Sequence, residues 1–95
     1  MPTTELEARL RPIARDRIVR QVLPRAVPNQ IWGGRGSGKH CSLCDLPIAA
    51  DQVEYEIEHP DAERGRRSWR FHIVCQSIWQ LECARQQLLQ ANRDD

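Results

Sequence analysis

The sequence predicts a small α+β domain made of a cysteine knuckle, a β-hairpin and a C-terminal helix, with a helical arm in front. Three observations predict it. Cys41-Ser-Leu-Cys44 and His72-Ile-Val-Cys75 form a C-x2-C and an H-x2-C pair separated by 27 residues. Between them, "QVEYEIE" alternates apolar and acidic residues at the two-residue period of a strand. On either side, apolar residues recur at helical spacing in "IARDRIVRQV" and "CQSIWQLECARQQLLQAN".

The elements follow in order. Residues 1–30 are expected to form the helical arm and a proline-containing linker, and residues 31–95 the metal-binding domain with its extended helix. Thr4 and Glu7 make a capping-box pattern. Pro12 is expected to kink or divide the arm, because proline donates no backbone hydrogen bond and its ring clashes with the preceding turn. Ile13, Ala14, Ile18 and Val22 mark the arm's apolar side, and Asp16, Arg17 and Arg20 the other; Pro24 should end it. In the hairpin, Val53, Tyr55 and Ile57 should point inward and Glu54, Glu56 and Glu58 outward. "HPDAERGRR" reads as a polar turn, and "SWRF" returns with Trp69 and Phe71 on one face and Arg70 on the other. From about His72 the chain turns helical, with Val74, Ile78, Leu81 and Leu88 as its stripe.

Composition bounds what such a chain can be. Ninety-five residues with 5% aromatics bury a limited core, and domains of this size often recruit a metal or a partner. The net charge is only +1, although residues 1–30 carry six Arg against three acids. A protein that grips nucleic acid non-specifically usually has a much larger basic excess. No apolar run reaches the length of a signal peptide or a membrane span, so a cytoplasmic location is expected. In that reducing setting a C-x2-C pair is expected to bind metal rather than to form a disulfide.

Two motifs compete in "WGGRGSGKHCSLC". A P-loop needs a buried strand before the glycines, a helix starting at the Lys, and a Ser or Thr for magnesium. Here His40 holds the Ser/Thr position and a cysteine knuckle interrupts the would-be helix, so no nucleotide is expected and the glycines read as a hinge. The metal reading has a full ligand set: Cys41, Cys44, His72 and Cys75 offer three thiolates and an imidazole to one structural zinc ion. A C-x2-C knuckle converges from one tight turn, followed by Asp45, which tolerates left-handed backbone. His72 and Cys75 converge if they open a helix, where i and i+3 share a face. Cys83, eight residues past Cys75, is expected to be a small buried hydrophobe. His40 and His59 read as bystanders.

Knuckle, hairpin and a helix that donates the last two ligands resemble the treble-clef zinc fold, and the ligand pattern is similar to the first zinc module of LIM domains. "WGGRGSGKHCSLCDLPI", "VEYEIE" and "FHIVCQSIW" also resemble a group of small bacterial proteins to which no activity is assigned. The resemblance implies a metal site and no particular chemistry. Treble-clef nucleases of the HNH type place a catalytic histidine where His59 stands, but the further metal-binding residues on the helix are missing here. The expected role is a non-enzymatic interaction or regulatory module. Its helical faces exceed what a hairpin can cover, and so would meet a protein partner or a second copy. The alternative is nucleic-acid binding through Arg17, Arg20, Arg64, Arg66 and Arg67.

Overall fold

The computed structural model describes residues 5–63 and 65–93. Thr4 of the capping-box pattern and Arg64 of the basic cluster lie outside them. In chain order come α1 (Glu5–Val19), β1 (Trp32–Arg35), β2 (Val53–Asp61), β3 (Gly65–Phe71) and α2 (Ile73–Arg93). The strands form one antiparallel sheet in the order β1-β2-β3.

Pro12 does not divide α1, which runs through it as one helix of 15 residues. The contacts that hold the helix lie on both sides of the proline: Arg11 and Arg15 each reach Glu82 of α2 at 3.0 Å. Tertiary anchoring thus offsets the lost backbone bond. The buried row is Leu10, Ala14 and Ile18, while Ile13 and Val22 are exposed. α1 also stops before Pro24. Gln21 takes a left-handed φ of 64°, and the Val22 and Leu23 amides return to the Arg17 carbonyl at 2.9 and 3.0 Å. Such a left-handed residue closes a helix end by satisfying its orphan carbonyls.

The proline-rich connector has no ladder of its own, so indoles satisfy its carbonyls. Trp69 Nε1 donates to Val22 O at 2.8 Å, and Trp79 Nε1 donates to Pro24 O at 2.9 Å. Trp79 is wholly buried and stacks on Phe71 with ring centroids 5.3 Å apart.

The hairpin is longer than its sequence suggested, and it has a third strand. "HPDAERGRR" is not a turn throughout: His59, Pro60 and Asp61 pair with Arg67, Arg66 and Gly65. Charge alternation supports this extension, since Arg66 bridges Glu58 at 3.2 Å and the Arg67 guanidinium lies 4.9 Å above the Trp69 ring. β1 pairs only the first residues of β2, so Pro60 lies beyond that pairing and costs no ladder bond on that side.

The glycine-rich stretch is no hinge. Gly33 and Gly34 sit in strand β1, and the Tyr55 ring packs closely over Gly33. The loop that follows folds over the first acid of β2. Ser37 donates to Glu54 from its amide at 3.0 Å and from its hydroxyl at 2.7 Å. That is why Glu54 is buried and Val53 exposed, the reverse of the alternation expected there. Burial pushes the Glu54 carboxyl up, but the Ser37 bonds and the charge of Arg70 outweigh it and hold the group below its ordinary value.

Gly36 is the glycine the fold requires. Any Cβ there would collide with the Ala49 carbonyl and come within 2.6 Å of Ile48 O, on the segment that returns from the knuckle. Gly36→Ala is expected to cost about 1–3 kcal/mol, the usual penalty for overpacking. Gly34, with open space around it, should accept Ala with little change in stability. Thermal unfolding of the two variants side by side checks the contrast.

On α2 the inward face is Cys75, Ile78, Trp79, Glu82 and Cys83. The expected stripe is corrected at Val74, Leu81 and Leu88, all exposed; only Ile78 faces the core. Both β3 and α1 pack on the inward face, which leaves the other apolar side to solvent. No helix among the described residues is long and apolar enough to cross a membrane.

Candidate metal centre

Four side chains from three places in the chain converge. Cys41 and Cys44 come from the knuckle, His72 from the junction after β3, and Cys75 from the first turn of α2. Their ligand atoms all lie within 4.8 Å of one another. A tetrahedron with sulfur bonds of about 2.3 Å has edges of about 3.8 Å, so a small contraction brings all four donors onto one ion.

Local backbone chemistry shapes each half. The knuckle is a tight turn in which the Asp45 amide returns to Cys41 O at 3.0 Å, and the Cys41 amide donates to Leu46 O at 2.8 Å. Asp45 holds the left-handed φ of 67° expected of it. The Leu43 amide donates to Cys41 Sγ at 3.4 Å, a bond that favours thiolate. The Ser42 amide donates to Arg70 O at 2.6 Å, and the Arg70 amide answers to Ser42 Oγ at 3.1 Å. This exchange ties the knuckle to the end of β3, two residues before His72. The other half is set by the helix: the Gln76 amide reaches His72 O at 2.9 Å, so His72 and Cys75 share the face of one turn.

His72 is oriented for ligation. Its Nε2 lies 3.2 Å from Pro47 O, which can only accept, so the proton resides on Nε2. Nδ1, 3.4 Å from Cys44 Sγ, is left with its lone pair facing the cysteines. A carbonyl that fixes the second nitrogen of a ligating histidine is the usual outer support of a metal site.

The three thiols shift one another's acidity. Cys41 is pulled down to about 4, first by the hydrogen bond from Cys75 and then, against burial, by the amides of Cys44, His72 and Leu43. Cys75 is correspondingly pushed up, because it donates to Cys41 and is itself buried. Burial raises Cys44 as well. A divalent cation at this site would displace the thiol protons and let all three sulfurs ionise.

Arg17 braces the knuckle. Its Nη1 donates to Ser42 O and Leu43 O at 2.7 and 2.8 Å, and its Nη2 to Asp45 at 2.9 Å. The sequence pointed to this arginine as a nucleic-acid contact, but its donors serve the metal loop. Arg20 and Arg67 line the same cleft as Arg17, while Arg66 lies outside it, and each of the three has a partner within the fold. Arg20 pairs with Asp16 at 3.2 Å, Arg66 with Glu58, and Arg67 reaches the carbonyls of Gln21 and Val22. His40 turns its Nδ1 to Asp45 O at 2.7 Å, and His59 its Nε2 to Ala26 O at 3.1 Å. Neither joins the cluster.

Two supporting residues went unnoticed in the sequence. Glu82 is the sole acid of α2, and Arg11 and Arg15 stand one turn apart on α1, which is the signal that could have paired them. Gly36 had no distinguishing signal among its neighbours.

Cys83 is buried, its thiol pushed up to about 11 by burial and then by Glu82, and it donates toward Pro24 O at 3.5 Å. Cys83→Ala is therefore expected to leave the bound metal at one ion per chain, whereas Cys75→Ala should release it. Elemental analysis of the two purified variants measures this directly.

The chain is a small α+β protein whose Cys3His cluster suits one metal ion. No family model, curated protein sequence or solved structure matches it.

Proposed function

We propose that this chain is a non-enzymatic, zinc-stabilised interaction or regulatory module of the treble-clef type, whose helices meet a protein partner or a second copy. The observation that carries this is the closed donor set, with His72 Nε2 engaged by Pro47 and Nδ1 turned toward the cysteines. Three soft sulfurs and one nitrogen at tetrahedral reach favour zinc over magnesium or calcium, which prefer oxygen. Four protein ligands leave no position for water or substrate, so the ion's task is structural. The order of knuckle, hairpin and helix fits the treble-clef arrangement, with α1 and β1 added to it.

His59, on which a nuclease reading would depend, is held by the Ala26 carbonyl and lies edge-on to Trp69 at 5.9 Å. A magnesium-dependent nicking assay on the wild type and His59→Ala is expected to show no activity in either. The nucleic-acid alternative loses two of its five arginines to backbone carbonyls within the fold, Arg17 and Arg67. Elemental analysis of freshly purified protein should find close to one zinc per chain, and a salt-titrated gel shift should find no binding even at low salt. Binding that weakens steeply with salt would replace this reading with the nucleic-acid one, because that slope reports phosphate neutralisation.

A further inference from the structure

The outer face of α2 carries an uncharged repeat, apolar except at one serine. Val74, Ser77, Leu81, Ala84, Leu88 and Ala91 follow one another at steps of three and four, the heptad spacing of a helix seam. All six are exposed, and the seam lies opposite the face that packs on the sheet and on α1. Val74 is 41% exposed, Leu81 57% and Leu88 67%. The inward face supports the core; the seam packs on nothing among the described residues.

The geometry points to a second copy of this chain as the occupant of the seam, with the two α2 helices antiparallel. This rests on the proposed reading that the module presents a helical face. The seam is complementary to itself in one register, centred between residues 82 and 83. There Val74 meets Ala91 of the other copy, Ser77 meets Leu88, and Leu81 meets Ala84. Every large side chain thus faces a small one, which lets two helices approach closely around a two-fold axis. Charge agrees with this pairing. The seam holds no charged residue, and Arg85 beside it falls opposite Gln80, so no like charges meet. The one polar member, Ser77, already donates to the Ile73 carbonyl at 3.2 Å and brings no unsatisfied hydroxyl into the contact.

Size sets the strength. The seam is about 26 Å long and about 10 Å across, a footprint on the order of 260 Å². Ile73, half exposed beside its start, enlarges it. A standard interface covers roughly 800 Å² per partner. The dimer is accordingly reversible and fills at high concentration rather than being obligate.

Sedimentation equilibrium of the full chain in saturating zinc, from micromolar to near-millimolar protein, tests this. The wild type is expected to rise toward twice the chain mass. Leu81→Glu should raise the concentration needed at least tenfold, with helix content and bound zinc unchanged; Leu88→Glu, at a still more exposed position, should do the same and serves if the first variant misfolds. Leu81→Glu combined with Ala84→Lys should restore the dimer, because the antiparallel register sets each new acid against a new base. A parallel pair would set acid against acid. A wild type that binds zinc yet stays monomeric overturns the self-pairing, as does Leu81→Glu dimerising like the wild type or the double variant failing to recover. A chain that purifies without metal overturns the underlying module reading instead, so the two failures are distinguishable.

Discussion

Removing bound metal with a chelator, or replacing Cys44 with Ser, is expected to abolish the order of the knuckle, the β2–β3 hairpin and the start of α2. This is the largest effect we expect. The apparent binding energy of structural zinc in small finger peptides is on the order of 10–16 kcal/mol, as large as the roughly 5–15 kcal/mol net stability of an ordinary domain. Two ligands, Cys41 and Cys75, are themselves core residues beside Leu43, Ile57 and Phe71. Taking away the ion leaves three sulfurs and an imidazole drawn together with nothing to bridge them. Amide NMR spectra before and after chelation measure the loss. Dispersed knuckle and hairpin peaks that persist in metal-free protein would sink the expectation. Arg17→Ala should weaken zinc retention in competition with a chelator, since three donors then leave the knuckle carbonyls and Asp45.

The second large effect concerns Glu82, which is fully buried with Arg11 and Arg15 as its cations. The double variant Arg11→Ala, Arg15→Ala leaves that carboxylate without a counter-charge, and an uncompensated buried charge costs about 3–5 kcal/mol. Glu82→Gln should cost much less, because both arginines are about 40% exposed and can turn to water. The same residue gives a pH dependence. Burial pushes the Glu82 carboxyl up, but the hydrogen bonds and charges of Arg15 and Arg11 outweigh it and leave the group below its ordinary 4.5. A folded pKa below the unfolded one stabilises the protein above 4.5, and that contribution fades as pH falls through the folded value. In the double variant only the burial remains, so its deficit should shrink as acid protonates Glu82. Denaturant unfolding at fixed free zinc, at neutral and mildly acidic pH, measures both effects; equal losses for the two variants would contradict the asymmetry.

Much of this was legible in the residues, and the misses have identifiable causes. The cysteine and histidine spacing named all four members of the cluster because a tight turn and a helix's first turn are local geometries. Asp45 was legible for the same reason. Local logic failed where another element decided the outcome. Pro12 stays within α1 because Glu82, far along the chain, anchors the helix on both sides of it. Glu54 is buried because Ser37 folds over it, against the alternation of its own strand. Leu81 and Leu88 share one expected stripe with Ile78 because periodicity reports that a helix has an apolar side, and α2 has two.

By itself the sequence determined the two ligand pairs, the two helices, the paired strands' alternation and the turn after the knuckle, each of which depends on residues within a few positions of one another. Only the tertiary structure decided that Arg17 braces the knuckle, that the glycines form an edge strand, and which side of α2 faces the core. Those outcomes depend on contacts between segments tens of residues apart. Such contacts are selected by how side chains fill shared space, and no short window of sequence carries that information.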